Sequence, residues 1–318
     1  MATVTFTQEM EDVLSSTLPQ YMPTLVDNVF KSIPLCVKLI ERENMKYDGG
    51  SELRQPFIFD RLPTGWYTGQ DQLNISQKQT QTAMRFDWKL GYAAINIPMS
   101  ELLMNSGQNA VTSLVTSKMQ TGEISLREMI ADSLFSDGSG SAGKEIIGLA
   151  QAVHDTGSYG GIPRTTNEGS KLISYVDASG GDLSLAQMQR AYGRATIEPE
   201  HPDLIITTQS QFNRIWALVQ ANQRFAAAPG LLGEVGFAGI NFNGAVIVQD
   251  QSCPPGTLYM LNTRWIKMIF HSQRSFTLEG PIPVAGQDIR VWRLHVAMCF
   301  IVQSSRLQAK ILNLNETF

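Results

Sequence analysis

Glu52–Asp60 reads ELRQPFIFD, and Met84–Tyr92 reads MRFDWKLGY. In the second stretch Met84, Phe86, Trp88, Leu90 and Tyr92 alternate strictly with Arg85, Asp87, Lys89 and Gly91, a period of two over nine residues. On a strand, that spacing puts the five large apolar side chains on one covered face and the others on a wet one. The first stretch is also strand-like, and Asp48-Gly49-Gly50-Ser51 before it reads as a turn. The expectation is a long hairpin over residues 48–97. Its tip, PTGWYTGQDQLNISQKQ at Pro63–Gln79, is too long for a tight turn and too polar to pack alone. Trp66 and Tyr67 in the tip either fold back on the hairpin or anchor it on another subunit, since rigid aromatics are favoured at interfaces. A free hairpin of this length is marginally stable, so its apolar face needs a cover.

Outward from the hairpin, residues 1–47 lean helical, but Pro19, Pro23 and Pro34 break the pattern into short pieces. Such a segment reads as an arm with little core of its own. On the other side, residues 99–135 read as one long helix capped by Ser100, with Leu103, Ala110, Leu114, Met119, Leu126, Ile130 and Leu134 at helical steps. Gly107 and Gly122 are its weak points, and a break at Gly122 is an alternative. Residues 136–180 form a Gly/Ser-rich connector. Beyond it, Ser184-Leu-Ala-Gln187 and Thr208-Gln-Ser-Gln211 both have the capping-box pattern and open helices at about 185–195 and 209–221. Leu204–Thr207, Ala245–Gln249 and Leu258–Leu261 read as strands, with Pro254-Pro255-Gly256 as a turn, and residues 289–314 are strand-rich. The class is α+β, without repeats.

Composition narrows the chemistry. The chain has 318 residues, 43% of them hydrophobic, which suffices for a large core, and a net charge of −4. Coating nucleic acid by neutralising phosphates calls for a basic excess, which is absent. Cys36, Cys253 and Cys299 are far apart and odd in number, so they read as buried free thiols of a reducing compartment. The N-terminal sequence lacks a signal-peptide pattern, and the longest apolar run, Val296–Val302, is far below the roughly 20 residues of a membrane helix. A cytoplasm-like environment is the expectation.

Gly138-Ser-Gly140-Ser-Ala-Gly143-Lys144 matches both GxGxxG and GxxxxGK. A phosphate cradle needs a strand before it and a helix after it. Here a helix precedes the glycines, and Glu145 stands where a magnesium-holding hydroxyl belongs. The flexible-linker reading therefore prevails over a nucleotide-binding enzyme using Gly138–Lys144. His154, His201, His271 and His295 have no metal-ligand spacing, and no nucleophile elbow is present. No catalytic residue, cofactor site or metal site is assigned. What the chain offers instead is an arm, a long hairpin and a stretched helix that cannot satisfy themselves.

The order of these parts resembles the major capsid proteins of tailed bacteriophages, whose Hong Kong 97-like fold is shared with encapsulins. The pieces that carry the resemblance are Gly148-Leu-Ala-Gln-Ala-Val153, Gly160-Gly-Ile-Pro163, Pro202–Ile215, Ile240–Asn262 and the closing SSRLQAKILNL, in that order. The resemblance implies an N-arm at 1–47, an extended-loop hairpin at 48–97, and a peripheral domain at 98–180 holding the spine helix. It further implies an axial domain at 181–284 and peripheral return strands at 285–318. It implies self-assembly into pentamers and hexamers of an icosahedral shell around double-stranded DNA, held without sequence-specific contacts. An encapsulin-like compartment of the same fold is the alternative. Trp66, Tyr67, Met84, Phe86 and Trp88 of the hairpin, and Phe225, Leu231 and Leu232 of the axial loop at 222–239, are the expected subunit-interface residues. No large N-terminal scaffolding extension is present, so a separate scaffolding protein is implied, together with a portal and a decoration protein as partners. The implied location is the virion, assembled in the host cytoplasm, with no membrane and no enzymatic role.

Overall fold

A computed structural model of the chain describes residues 33–42, 45–104, 114–219 and 240–317. Most of the expected N-terminal arm, the middle of the long helix expected over 99–135, and the loop with Phe225, Leu231 and Leu232 lie outside the described residues. The described chain divides into two compact units. The larger comprises residues 33–89, 131–270 and 298–317, and the smaller residues 90–104, 114–130 and 271–297.

In chain order, helix α1 (Pro34–Arg42) and β1 (Met45–Tyr47) lead into β2 (Leu53–Ile58), β3 (Gln81–Phe86) and β4 (Lys89–Pro98). Helices α2 (Met99–Met104) and α3 (Leu114–Leu134) follow, then the short α4 (Leu149–Ala152), β5 (Ser158–Tyr159), β6 (Ile162–Pro163) and β7 (Tyr175–Asp177). Next come α5 (Leu185–Ala195), β8 (Leu204–Thr207), α6 (Gln209–Val219), β9 (Ile240–Phe242), β10 (Ala245–Gln249) and β11 (Leu258–Leu261). The chain closes with β12 (Ile266–His271), β13 (Thr277–Pro283), β14 (Ile289–Val302) and β15 (Ala309–Ile311).

The larger unit is built on a six-stranded sheet in the order β7-β15-β11-β8-β10-β9. Its central strand β8 is buried at every residue, as the apolar run Leu204-Ile205-Ile206 suits a strand covered on both faces, and the buried Thr207 hydroxyl at its end donates to the Thr257 carbonyl at 3.2 Å. It runs parallel to β10 and antiparallel to β11. Helix α5 starts where its capping box predicts: the Ser184 hydroxyl accepts the Gln187 N–H at 3.2 Å, and the Ser184 N–H donates to the Gln187 side chain at 3.2 Å. Met188, Ala191, Tyr192 and Ala195 then recur at three- and four-residue steps and join Ile205, Ile247, Leu258 and Met260 in one core. Each large side chain fully buried there contributes roughly 1.5–3 kcal/mol.

The second capping box does not form. The Thr208 hydroxyl donates to the Glu316 carboxylate at 3.0 Å, and the Gln211 amide donates to the Asn315 carbonyl at 2.6 Å. An ionised carboxylate is the stronger acceptor, so the C-terminal segment takes the groups that local pattern assigns to the helix start. Arg214 adds bonds to Asp182 at 2.7 Å and to the Thr317 carbonyl at 2.8 Å.

The domain boundaries expected at 180/181 and 284/285 are not those of the sheets. Strands β7 and β15, from either side of the expected axial stretch, complete the six-stranded sheet, whereas β12 and β13 leave it and pair with β14. Residues 34–42 are also more than an arm. Leu35, Cys36 and Leu39 of α1 are buried, and Lys38 pairs with Asp203 at 3.5 Å.

In the smaller unit β13 runs antiparallel to β14 with a register slip between Glu279 and Ile282. Ile95, Ile97 and Trp292 form its core, with Leu102 and Met119 packed against them. Helix α3 runs unbroken through Gly122. A Cβ at Gly122 would stand 2.9 Å from Ile95 Cδ1, so the glycine lets the helix approach β4 rather than weakening it.

The nine-residue alternation that suggested one face is two strands of opposite phase. Met84 and Phe86 are buried at the end of β3, but the buried residues of β4 are Ile95 and Ile97, and Leu90 and Tyr92 are exposed. Asp87 and Trp88 lie between the strands, where the parity flips.

Candidate subunit-interaction surfaces

The hairpin of β2 and β3 pairs Leu53 with Phe86 through to Ile58 with Gln81. Its root is seated on its own subunit. The Arg85 N–H donates to the Gly160 carbonyl at 2.9 Å, and the Phe86 ring meets Tyr159 edge-on at 5.2 Å. Gly160 has φ +57, and a Cβ there would fall 2.6 Å from Met84 Cβ, so only glycine admits the strand this close. Gln303 donates to Gln55 at 2.7 Å, and the Trp88 indole donates to the Gly50 carbonyl at 3.1 Å.

The expectation that Met84 and Phe86 face a neighbouring subunit is thereby corrected: they are 0% and 3% exposed within a single chain. Trp88 is half-buried with its N–H committed. The apolar face that needed a cover finds it in residues 156–164, because the turn Gly160-Gly161 brings Tyr159 against it.

That seat is organised by a buried arginine. Arg164 is 3% exposed and spends its fork on four main-chain carbonyls: Nε to Leu172 at 3.1 Å, Nη1 to Thr156 at 2.8 Å, and Nη2 to Gln151 at 2.9 Å and Ala152 at 3.0 Å. Burial holds its pKa below the usual range, and the same burial pushes the Tyr159 phenol up. The Tyr159 hydroxyl accepts the Val302 N–H at 2.8 Å, which ties the seat to β14. Lys310, also 3% exposed, donates to the Ala150 carbonyl at 3.0 Å, and burial lowers it to about 8. Sequence reading missed both cations, since Arg and Lys are normally exposed.

The tip is the opposite case. Residues 61–79 are exposed throughout, with Trp66 at 104% and Ile75 at 91%. Trp66 does not fold back. Leu62, Tyr67 and Leu73 are exposed beside it. The polar side chains of the tip satisfy one another: the Thr68 N–H and hydroxyl donate to Asp71 at 2.8 and 2.9 Å, and the Ser76 N–H donates to Asn74 at 3.1 Å. These bonds hold the Asp71 carboxyl below its usual range. Lys78 closes the base on Asp60 at 2.9 Å. The tip is therefore polar in most of its residues, with Trp66, Tyr67, Leu73 and Ile75 exposed among them. The alternation Leu73-Asn74-Ile75 was the available signal for the two aliphatic members that the sequence reading did not single out.

In the smaller unit, the exposed Tyr92 of β4 and the half-exposed Met129 of α3 border an open groove of about 660 Å³ with Lys118, Thr121 and Gly122. Phe225, Leu231 and Leu232 lie outside the described residues.

The glycine loop at 138–144 is ordered by its own carboxylate. Ser141 and Ala142 have φ 50 and 58, and Glu145 folds back to accept the Ser141 hydroxyl at 3.0 Å and the Ser136 hydroxyl at 3.4 Å. An anion of the chain thus occupies the concave side of the turn. Cys36, Cys253 and Cys299 form no disulfide and are buried, and burial raises the Cys253 and Cys299 thiols. Among the described residues no group of three or more His, Cys, Asp or Glu side chains is placed to hold a metal ion, and no helix is long and apolar enough to cross a membrane.

No family model and no curated protein matches the chain. Solved structures do match it. The capsid asymmetric unit of cyanophage A-1(L) superposes with a TM-score of 0.71 at 15% identity, covering 93% of this chain and 97% of that one. The capsid of the native GTA particle gives 0.67 at 10% identity over 93% and 95% of the two chains. The holo-SrpI encapsulin complex from Synechococcus elongatus PCC 7942 gives 0.64 at 8% identity over 99% and 98%. Likeness of this extent at such low identity lies in the order and packing of the elements along the whole chain. This chain has the α+β Hong Kong 97-like capsid-shell fold, common to phage capsids and encapsulins.

Proposed function

We propose that the chain is the major capsid protein of a tailed phage, forming the pentamers and hexamers of an icosahedral shell around double-stranded DNA. The observation that carries this reading is the division of the hairpin: its root is buried in its own subunit, while Trp66, Ile75, Leu62 and Leu73 at its tip have no cover among the described residues. Burying one exposed tryptophan removes about 200 Å² from water, a gross gain of about 5 kcal/mol before association costs. Such a gain, repeated over a closed lattice, is what holds a shell together. The net charge of −4 suits a wall that encloses DNA without gripping it. A scaffolding protein, a portal and a decoration protein are its expected partners, the virion is its location, and its role is structural rather than enzymatic.

The test is electron microscopy of the overexpressed protein with and without residues 65–79. Closed shells from the intact chain, and soluble capsomers or monomers from the deletion, are expected; normal shells from the deletion overturn the role given to the tip. The match to an encapsulin over 99% of the chain favours a cargo compartment as the second reading. Particles purified from infected or lysogenic cells decide between them: nuclease-protected DNA supports the capsid, and enclosed protein without DNA supports the compartment.

A further inference from the structure

The register of the hairpin sets Arg54 of β2 directly opposite Arg85 of β3. Both lie on its outer face, turned away from Met84 and Phe86, with Pro56 opposite Ala83 next and Ile58 opposite Gln81 beyond. Like charges placed directly across two strands destabilise the pair. Arg54 is relieved by Glu52, whose carboxylate accepts its Nε–H at 2.6 Å. The exposed Arg85 guanidinium makes no hydrogen bond or ion pair among the described residues. In the smaller unit, by contrast, Arg293 of β14 stands opposite Glu279 of β13. The outward strip of the hairpin root is therefore basic at one end and apolar beyond it, with Ile58 69% exposed. Its complement is in the sequence. Residues 1–30 contain Glu9, Glu11, Asp12 and Asp27 and no Lys, Arg or His. Taking these four from the 29 acids of the chain leaves 25, equal to its 25 Lys and Arg, so this segment carries the whole net charge of −4.

We propose that the acidic stretch Glu9–Val13 docks on the outer face of the hairpin root, its carboxylates on Arg54 and Arg85 and its apolar end on Pro56 and Ile58. Carboxylate on guanidinium is the charge-assisted pairing that arginine suits best. A carboxylate set over both guanidinium groups also cancels the repulsion between them, which accounts for a like-charge pair in that register. The order of the two sides matches. In an extended backbone Glu9, Glu11 and Val13 share one side. The step from Glu9 to Val13 spans the same ~13 Å as that from Arg54 to Ile58. Pro56 has no N–H, so β2 offers this face rather than an unbroken edge for a further strand. The stretch can also reach its seat. From Val13 to Pro34, where α1 begins, the extended chain covers roughly 70 Å. Helix α1 and the hairpin root belong to the same compact unit. The docking holds whether or not the chain builds a shell.

The test is hydrogen exchange on the full chain at pH 7, following the amides of residues 8–14 and, as a control, those of β2. In the wild type the arm amides are expected to be protected. Arg85→Gln should lower that protection about fivefold, the scale of one exposed ion pair. Raising the salt to 1 M should act in the same direction. Arg85→Gln removes no bond made among the described residues and relieves a like-charge pair, so the β2 amides should be as protected as before or more so. Arg54→Glu with Arg85→Glu should abolish arm protection, and adding Glu9→Lys, Glu11→Lys and Asp12→Lys to that variant should recover it. If the hairpin variants do not fold, Glu9→Gln with Glu11→Gln and Asp12→Asn must give the same loss from the arm side. Arm amides that exchange at the unprotected rate in the wild type, protection indifferent to Arg85→Gln and to salt, or no recovery on the full exchange of charges overturns the proposal. So does an Arg85→Gln chain whose arm is unchanged while its binding of a double-stranded oligonucleotide falls, since the arginine pair would then serve phosphates.

Discussion

Replacing Arg164 by Met keeps the stem in place and removes the guanidinium. Four carbonyls lose their donor: Leu172, Thr156, Gln151 and Ala152. The bonds to Leu172 and Ala152 are fully buried, so those two oxygens are stranded at about 1–3 kcal/mol each. The other two lie partly in reach of water and cost roughly 0.5–1 kcal/mol each. Against this stands relief from burying a charge, worth several kcal/mol and already visible in the lowered pKa of the group. The balance is a net loss of about 3 kcal/mol, out of the roughly 5–15 kcal/mol by which a domain is stable. Arg164→Lys should lose nearly as much, because one ammonium cannot span four carbonyls set around a planar fork. The assay is urea unfolding of the soluble subunit at neutral pH, with hydrogen exchange at Arg85, whose N–H bonds Gly160 in the seat that Arg164 organises. A midpoint change worth less than about 0.5 kcal/mol, with the Arg85 amide as protected as before, would show that the carbonyls are satisfied without the guanidinium and would refute the reasoning.

Replacing Trp66 and Ile75 together by Ser touches only exposed side chains, so subunit stability should stay within about 0.5 kcal/mol. Shell yield by sedimentation should nevertheless collapse, and a yield equal to wild type would count against the tip as an interface. At Gly148 an added Cβ would meet the carbonyl oxygens of Ser133 and Leu134 at 2.5 Å and of Ser136 at 2.6 Å. Main chain cannot yield as a side chain can, so Gly148→Ala should cost about 2 kcal/mol or more in urea unfolding. Lys310 gives a pH signature. Because burial lowers it from its ordinary 10.5 to about 8, the folded state holds fewer protons than the unfolded one between those values. Its stabilising contribution is complete above about 10.5 and is lost as pH falls through 8. Urea midpoints between pH 7.5 and 9.5 should therefore climb more in the wild type than in Lys310→Met, and parallel profiles would contradict the assignment.

What was legible in the sequence was local in cause. Leu204–Thr207, Ala245–Gln249 and Leu258–Leu261 are strands because short, mainly apolar runs bounded by turns suit a largely buried sheet, and α5 begins after Ser184 because its own Gln187 closes the box. What was not legible depended on partners far along the chain. The box at Thr208 is the same pattern as that at Ser184, yet it yields to Glu316, a carboxylate more than a hundred residues downstream. The alternation from Met84 to Tyr92 looks like one strand face, but Asp87 and Trp88 turn it over, and no residue type marks such a flip. Arg164 follows the Gly160-Gly-Ile-Pro163 run that helped to carry the resemblance, and its side chain ties the segments on either side of that run, at Thr156 and Leu172, to Gln151 and Ala152. Arginine in a glycine-rich connector otherwise reads as solvated charge.

The contrast between β13 and the hairpin tip bears on the exposed apolar side chains of the tip. Strand β13 is the end strand of its sheet among the described residues and is exposed along nearly its whole length. It carries Pro281 and Pro283, which cannot donate to a further strand, and a register slip between Glu279 and Ile282 that spoils a straight edge. The chain thus contains the ordinary devices against unplanned pairing and uses them where an edge lies open. The tip carries no such protection on its apolar members. Over residues 61–79 its one proline is Pro63 and its charges are Arg61, Asp71 and Lys78; Asp71 is consumed within a turn and Lys78 by Asp60 at the base, while Trp66 and Ile75 are almost fully exposed. That the chain guards one exposed strand and leaves the apolar members of the other protrusion bare supports the contact proposed for the tip. The buried root, seated by Met84, Phe86 and the arginine-braced turn, supplies the fixed base from which such a contact can be aimed.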